Sequence, residues 1–143
     1  MKAIETRDGG ASAPGARFES IELQPESGRA RVAPGVLGEL CRGHFADQPI
    51  VPGAALIGLM MDLATCWAVS LAAGGARTLD RCRFRRTVGP DDQVELHCRR
   101  RAPDAVEVEA RVGGEWAARA RVGLVAATTT VGAAGAQAGE VGR

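Results

Sequence analysis

Between Pro52-Gly53 and Gly74-Gly75 runs a stretch, Ala54 to Ala73, whose single charged residue is Asp62. A start behind Pro-Gly and an end at a glycine pair predict one long helix, apolar on nearly every side. At ~1.5 Å per residue such a helix also matches the thickness of a bilayer core. Asp62 counts against a membrane span, because a carboxylate near the middle costs a few kcal/mol even on the lenient insertion scale. No cluster of Lys or Arg marks a cytoplasmic flank either. A helix without a polar face is buried in a soluble domain only if other elements surround it.

The surrounding elements are legible as strands. Arg17 to Leu23 alternates polar with apolar residues, as does Arg29 to Val32, and Pro25 to Gly28 supplies the turn between them. The segment from there to the helix reads as a loop rich in Gly and Pro. Beyond the helix, Leu79 to Val88, Val94 to Arg100, Ala105 to Val112 and Trp116 to Val125 are four further strand candidates. The last three predict an antiparallel meander, with Gly113-Gly114 as a two-residue hairpin turn. The expected fold class is therefore α+β, a curled antiparallel sheet wrapped around one long central helix.

With 143 residues, 45% of them hydrophobic and 24% charged, the chain has the size and apolar content of one domain. The expected organisation is an N-terminal arm over 1–14, a folded body over 15–125 and a tail over 126–143. The tail is dominated by Ala, Gly and Thr, which cannot repay the entropy of ordering. A net charge of +1, aromatics at 3% and the lack of any Tyr disfavour nucleic-acid binding. Cys41, Cys66, Cys82 and Cys98 form no CxxC pair, so they read as small buried hydrophobes, with no metal site expected. The charged N-terminus lacks the apolar stretch of a secretory signal, and a cytoplasmic location is expected.

The most specific stretch is Gly43-His44-Phe45-Ala46-Asp47-Gln48-Pro49-Ile50-Val51-Pro52-Gly53, directly before the helix. A His there is placed to act as a base, and a helix start at Pro-Gly exposes backbone N–H groups that can polarise a carbonyl oxygen. These residues resemble the motif Gly-His-Phe-Pro-x-x-Pro-x-x-Pro-Gly of the hotdog-fold dehydratases that act on (3R)-3-hydroxyacyl thioesters of acyl carrier protein, with Ala46 in place of the first proline. The resemblance continues in Phe84-Arg85-Arg86-Thr87-Val88 and the following Gly89-Pro90-Asp91-Asp92 turn, and covers about 15–125.

The resemblance implies a cofactor-free dimer with an acyl tunnel between subunits, acting on an acyl thioester carried by acyl carrier protein or CoA. His44 would remove the C2 proton, and the Gly53 N–H would hold the thioester oxygen. The family's acid, which protonates the departing 3-hydroxyl, corresponds to position 58, and this chain has Gly58 there. Asp62 is the candidate substitute, one turn further along the same helical face, and Asp47 is a second. Each has a structural alternative: His44 hydrogen-bonded to a backbone carbonyl, and Asp62 satisfied by Gln48 or by an Arg of a partner subunit.

Three functions follow: a dehydratase of fatty-acid or polyketide type, a hotdog thioesterase in which Asp62 positions water, or an inactive acyl-binding subunit. A homodimer is expected, with a heterodimer supplying the carboxylate from a paralogue as the alternative. Arg81, Arg83 and Arg85 have period-two spacing and are expected on one strand face, with Arg99-Arg100-Arg101 nearby, either as a phosphate or carrier-protein patch or as a solvated face. His97 reads as surface.

Overall fold

The computed structural model describes residues 13–42, 49–71 and 74–125. The expected arm over 1–14 falls almost wholly, and the tail over 126–143 wholly, outside the described residues. Strands β1 (Phe18–Leu23) and β2 (Ser27–Val32) form the first hairpin, followed by a short helix α1 (Val36–Cys41) and the long helix α2 (Gly53–Ser70). Strands β3 (Ala76–Phe84), β4 (Val94–Ala102), β5 (Ala105–Val112) and β6 (Glu115–Leu124) complete a six-stranded antiparallel sheet of order β1-β2-β4-β5-β6-β3.

The sheet's two faces follow from its alternation. Along β5, Val106, Val108, Ala110 and Val112 are buried, while Glu107, Glu109 and Arg111 lie on the outer face. The outer face is laced by cross-strand pairs: Arg119 of β6 stands opposite Glu109 and reaches its carboxylate at 2.6 Å, and Arg101 reaches Glu107 at 2.7 Å. Gly113 and Gly114 both have positive φ, 62° and 86°, as the tight turn into β6 requires.

The inner face curls over α2. Leu59, Met60, Leu63, Ala64, Trp67 and Ala68 have no exposed surface, which accounts for an apolar helix without a membrane. Trp67 keeps its one polar atom satisfied by donating from Nε1 to the Gln24 carbonyl at 2.8 Å, and the Arg100 guanidinium sits 4.8 Å from its ring centroid.

Three expectations change. The Gly- and Pro-rich segment after β2 contains α1, which starts behind Gly35 in a left-handed conformation and buries Leu37 and Cys41. The strand expected over Leu79 to Val88 runs instead over Ala76–Phe84, because the ladder to β6 ends where the Arg85 and Arg86 N–H groups both donate to the Ala117 carbonyl. Val88 leaves the sheet, is buried, and accepts from the Val51 N–H at 2.7 Å. Arg81, Arg83 and Arg85 do not share a strand face: Arg81 has φ 54°, the register shifts between Asp80 and Arg83, and Arg85 lies beyond β3. Arg99 to Arg101 stand on β4, separated from β3 by β5 and β6, so they do not join them.

Candidate functional site

The amino end of α2 is the chemically equipped part of the helix. Pro52 is its N-cap and provides no side-chain cap, so among the described residues no side chain caps the first N–H groups of the helix. The chain is delivered there by the Val51 to Val88 hydrogen bond, which ties the entry of α2 to the segment after β3. Gly53, the first residue of the helix, lies under the Phe84 ring, and a Cβ at 53 would come within 3.1 Å of it. A side chain here would have to push the Phe84 ring aside by a few tenths of an ångström.

An open pocket of about 590 Å³ is lined here by Ile50, Val51, Gly53, Leu56, Phe84 and Val88. Phe84, one of the residues lining this pocket, is 49% exposed, unusual for so large an apolar side chain. Arg85 and Arg86 also line the cavity. Arg85 lies 5.6 Å from the centroid of the Trp116 ring, and Arg119 lies 4.3 Å from the same ring, so one indole steadies two guanidinium groups. Arg86 is also paired with Asp92 at 3.4 Å. An apolar pocket at a helix start that no described side chain caps, with Arg85 and Arg86 along it, suits a ligand with an aliphatic part, a polarisable carbonyl and an anionic part.

Of the sequence-predicted site residues, Gly53 is in this cavity. His44, together with Asp47 and Gln48, lies outside the described residues. Asp62 is on the half-exposed face of α2, where its Oδ2 accepts from Nη2 of Arg17 at 2.8 Å. Its counter-charge comes from the segment entering β1 of its own chain. Burial pushes the Asp62 carboxyl up from its ordinary value, and the hydrogen bond and charge of Arg17 pull it back. Gly58 stands one turn earlier on the same face, and Arg17 is also its neighbour.

Sequence reasoning did not find Arg17, Phe84 as the lid over Gly53, or Trp116. The available signal for Arg17 was physical: a lone carboxylate in an apolar helix requires a partner of opposite charge. His97 is half-exposed on the outer face and pairs with Glu95 at 2.9 Å. Another depression, of about 490 Å³, lies on that face among paired charges such as Arg29 with Glu22, away from the helix start. Cys41, Cys66 and Cys98 are buried free thiols and Cys82 is partly buried; burial lifts the thiols of Cys66 and Cys98 to about 11 and about 12.

The model of the ApeI-like dehydratase family matches residues 29–117. A 3-hydroxyacyl-[acyl-carrier-protein] dehydratase FabZ of Rhodopseudomonas palustris is 33% identical over 97 residues, covering 60% of this chain and 64% of that protein. The corresponding FabZ of Agrobacterium fabrum is 36% identical over 92 residues, covering 58% and 60%. The chain thus spans less than two thirds of the length of these relatives. Among solved structures, the dehydratase heterocomplex ApeI:P from Xenorhabdus doucetiae superposes with a TM-score of 0.59 at 16% identity, covering 71% of this chain and 89% of that one. A sigma28-regulated virulence protein from Campylobacter jejuni superposes at 0.65 with 14% identity, covering 80% of each chain. The sheet wrapped on its helix is the hotdog fold, and the chain belongs to the ApeI-like dehydratase family.

Proposed function

We propose that this chain is a 3-hydroxyacyl-thioester dehydratase-like protein that removes water to give the 2-enoyl thioester, with the working domain over 15–125. The observation that carries this reading is the start of α2 at Gly53, which no described side chain caps, on an apolar pocket that Arg85 and Arg86 also line. In this reading the thioester oxygen accepts from the Gly53 N–H, which disperses the charge that develops when His44 removes the C2 proton. The acyl chain lies along Leu56, Phe84 and Val88, and Arg85 and Arg86 meet the phosphate of the carrier's prosthetic arm or of CoA.

Two surfaces exposed among the described residues support dimerisation. The face of α2 turned away from the sheet is only partly covered: Ala54 is exposed, Ile57, Met61 and Thr65 are half-buried, and Val69 is 57% exposed. β3 forms one edge of the sheet and is exposed along most of its length, Leu79 included. A second protomer covers both.

Gly58 and the ion-paired Asp62 favour a second arrangement, in which this chain supplies the His44 half of a shared site and a carboxylate-bearing paralogue supplies the acid. Purified protein, alone and with such a paralogue, is assayed with 3-hydroxyacyl and 2-enoyl thioesters in both directions. Turnover by the chain alone supports the homodimer, and turnover only with the paralogue supports the heterodimer. Hydrolysis without dehydration points to the thioesterase, and binding without either reaction to an acyl-binding subunit.

A further inference from the structure

Position 58 is where related dehydratases are expected to carry their acid, and its surroundings here are cationic. A Cβ at Gly58 would meet Nη2 of Arg17 at 3.9 Å, the one described non-neighbouring atom within 4 Å. That same nitrogen donates to Oδ2 of Asp62 at 2.8 Å. Positions 58 and 62 are one turn apart on a single helix face, so one guanidinium serves both. Arg17 is held in place by its backbone, whose carbonyl accepts from the Ala33 N–H at 2.9 Å, and by the buried Phe18 that follows it.

A guanidinium keeps its proton at any pH at which proteins fold, so Arg17 cannot itself be the acid. Burial raises the Asp62 carboxyl on balance, and against it the charge-assisted hydrogen bond at 2.8 Å favours the ionised form, which has no proton to give a leaving hydroxyl. Among the described residues, the ionisable groups coupled to Asp62 are Arg17, from the segment entering β1, and the buried Cys66 thiol, one turn further along α2.

We propose that Arg17 is a positioning residue that withholds Asp62 from general-acid chemistry, and that it captures any carboxylate introduced at position 58 in the same way. The inference takes from the dehydratase reading only what the acid would do; the ionised state it assigns to Asp62 does not depend on that reading.

The test has two arms on the full chain. In the first, the ¹³C-labelled carboxyl of Asp62 is titrated by NMR in wild type, Arg17→Lys and Arg17→Gln. The expected result is an ionised Asp62 at neutral pH in wild type and in Arg17→Lys, and a midpoint that moves upward in Arg17→Gln. A protonated Asp62 at neutral pH in wild type, or an unmoved midpoint in Arg17→Gln, overturns the inference. If Arg17→Gln does not fold, the wild-type midpoint is followed as salt is added to screen the pair: an upward move is expected, and an unmoved midpoint overturns the inference.

In the second arm, Gly58→Glu is compared with Gly58→Glu/Arg17→Gln for dehydration of a 3-hydroxyacyl N-acetylcysteamine thioester. The single variant is expected to gain little and the double variant roughly 10²–10⁴-fold. A full gain from Gly58→Glu alone overturns the capture at 58. Should Asp62 titrate as expected while no variant dehydrates or hydrates, the role of Arg17 stands and the dehydratase reading falls.

Discussion

The two faces of α2 are made of the same kind of sequence and do different work. The face turned into the sheet, with Leu59, Leu63 and Trp67 fully buried, packs the core, and its one polar atom at Trp67 is satisfied by the Gln24 carbonyl. The opposite face carries Ala54, Gly58, Asp62 and Val69, and it meets solvent, an ion pair and the surface proposed for a partner. The helix shows almost no amphipathic pattern because its second face was never meant to meet water alone. On the proposed reading, the uniformly apolar helix is buried twice, once by its own sheet and once by the partner protomer.

The comparison can be broken first at the chemistry. His44→Ala is expected to lower dehydratase turnover by roughly 10²–10⁴-fold while leaving the melting temperature unchanged. Undiminished turnover would remove His44 as the base. On the packed face, Trp67→Ala is expected to cost about 3–5 kcal/mol in urea unfolding, through loss of the largest buried side chain. A loss under about 1 kcal/mol would mean that the sheet closes over the vacancy, contrary to the close packing of such interiors.

A smaller effect is expected in the pocket. Gly53→Ala places a methyl 3.1 Å from the Phe84 ring, which must swing aside. Since alanine suits a helix better than glycine by ~0.5–1 kcal/mol, stability should hold while kcat falls more than KM rises. An unchanged kcat would separate Gly53 from the reacting thioester.

The smallest expected effect is a slope. The folded protein holds the Asp62 proton more tightly than the unfolded chain, because burial raises that carboxyl above 3.8 and Arg17 offsets this only in part. The cost of burying Asp62 is therefore absent below that value and develops as pH rises from it through the raised one. In unfolding experiments across that range, Asp62→Asn should lose less stability with rising pH than wild type. Identical slopes would show that Arg17 cancels the burial completely.

How much of this was legible in the sequence depends on how local its cause is. Strands β5 and β6 and their turn were readable because Val106 to Val112 alternates strictly and Gly113-Gly114 fits a two-residue loop. α2 was readable from its length and its flanking Pro-Gly. The short α1 was not, since Val36–Cys41 has Gly38 in its middle and too few residues for a period to show. The end of β3 was misplaced because Val88 is apolar and buried without being in the sheet. Gly53 could be named from its place at the helix start. The ion pair of Asp62 could not, because Arg17 is 45 residues away in sequence and any of several arginines would have satisfied the same need. Local pattern specifies elements, whereas the electrostatics of the site are settled only when those elements meet.

The irregularity at Arg81 has a consequence for solubility. A regular edge strand offers a continuous row of N–H and C=O groups to any extended chain that drifts past, which is how unintended sheet growth begins. Here the edge strand β3 carries a left-handed residue at Arg81 and a register shift between Asp80 and Arg83, with charges on either side. A passing strand cannot align with both halves of β3 at once. The bulge therefore makes β3 a poor template for a regular extended chain.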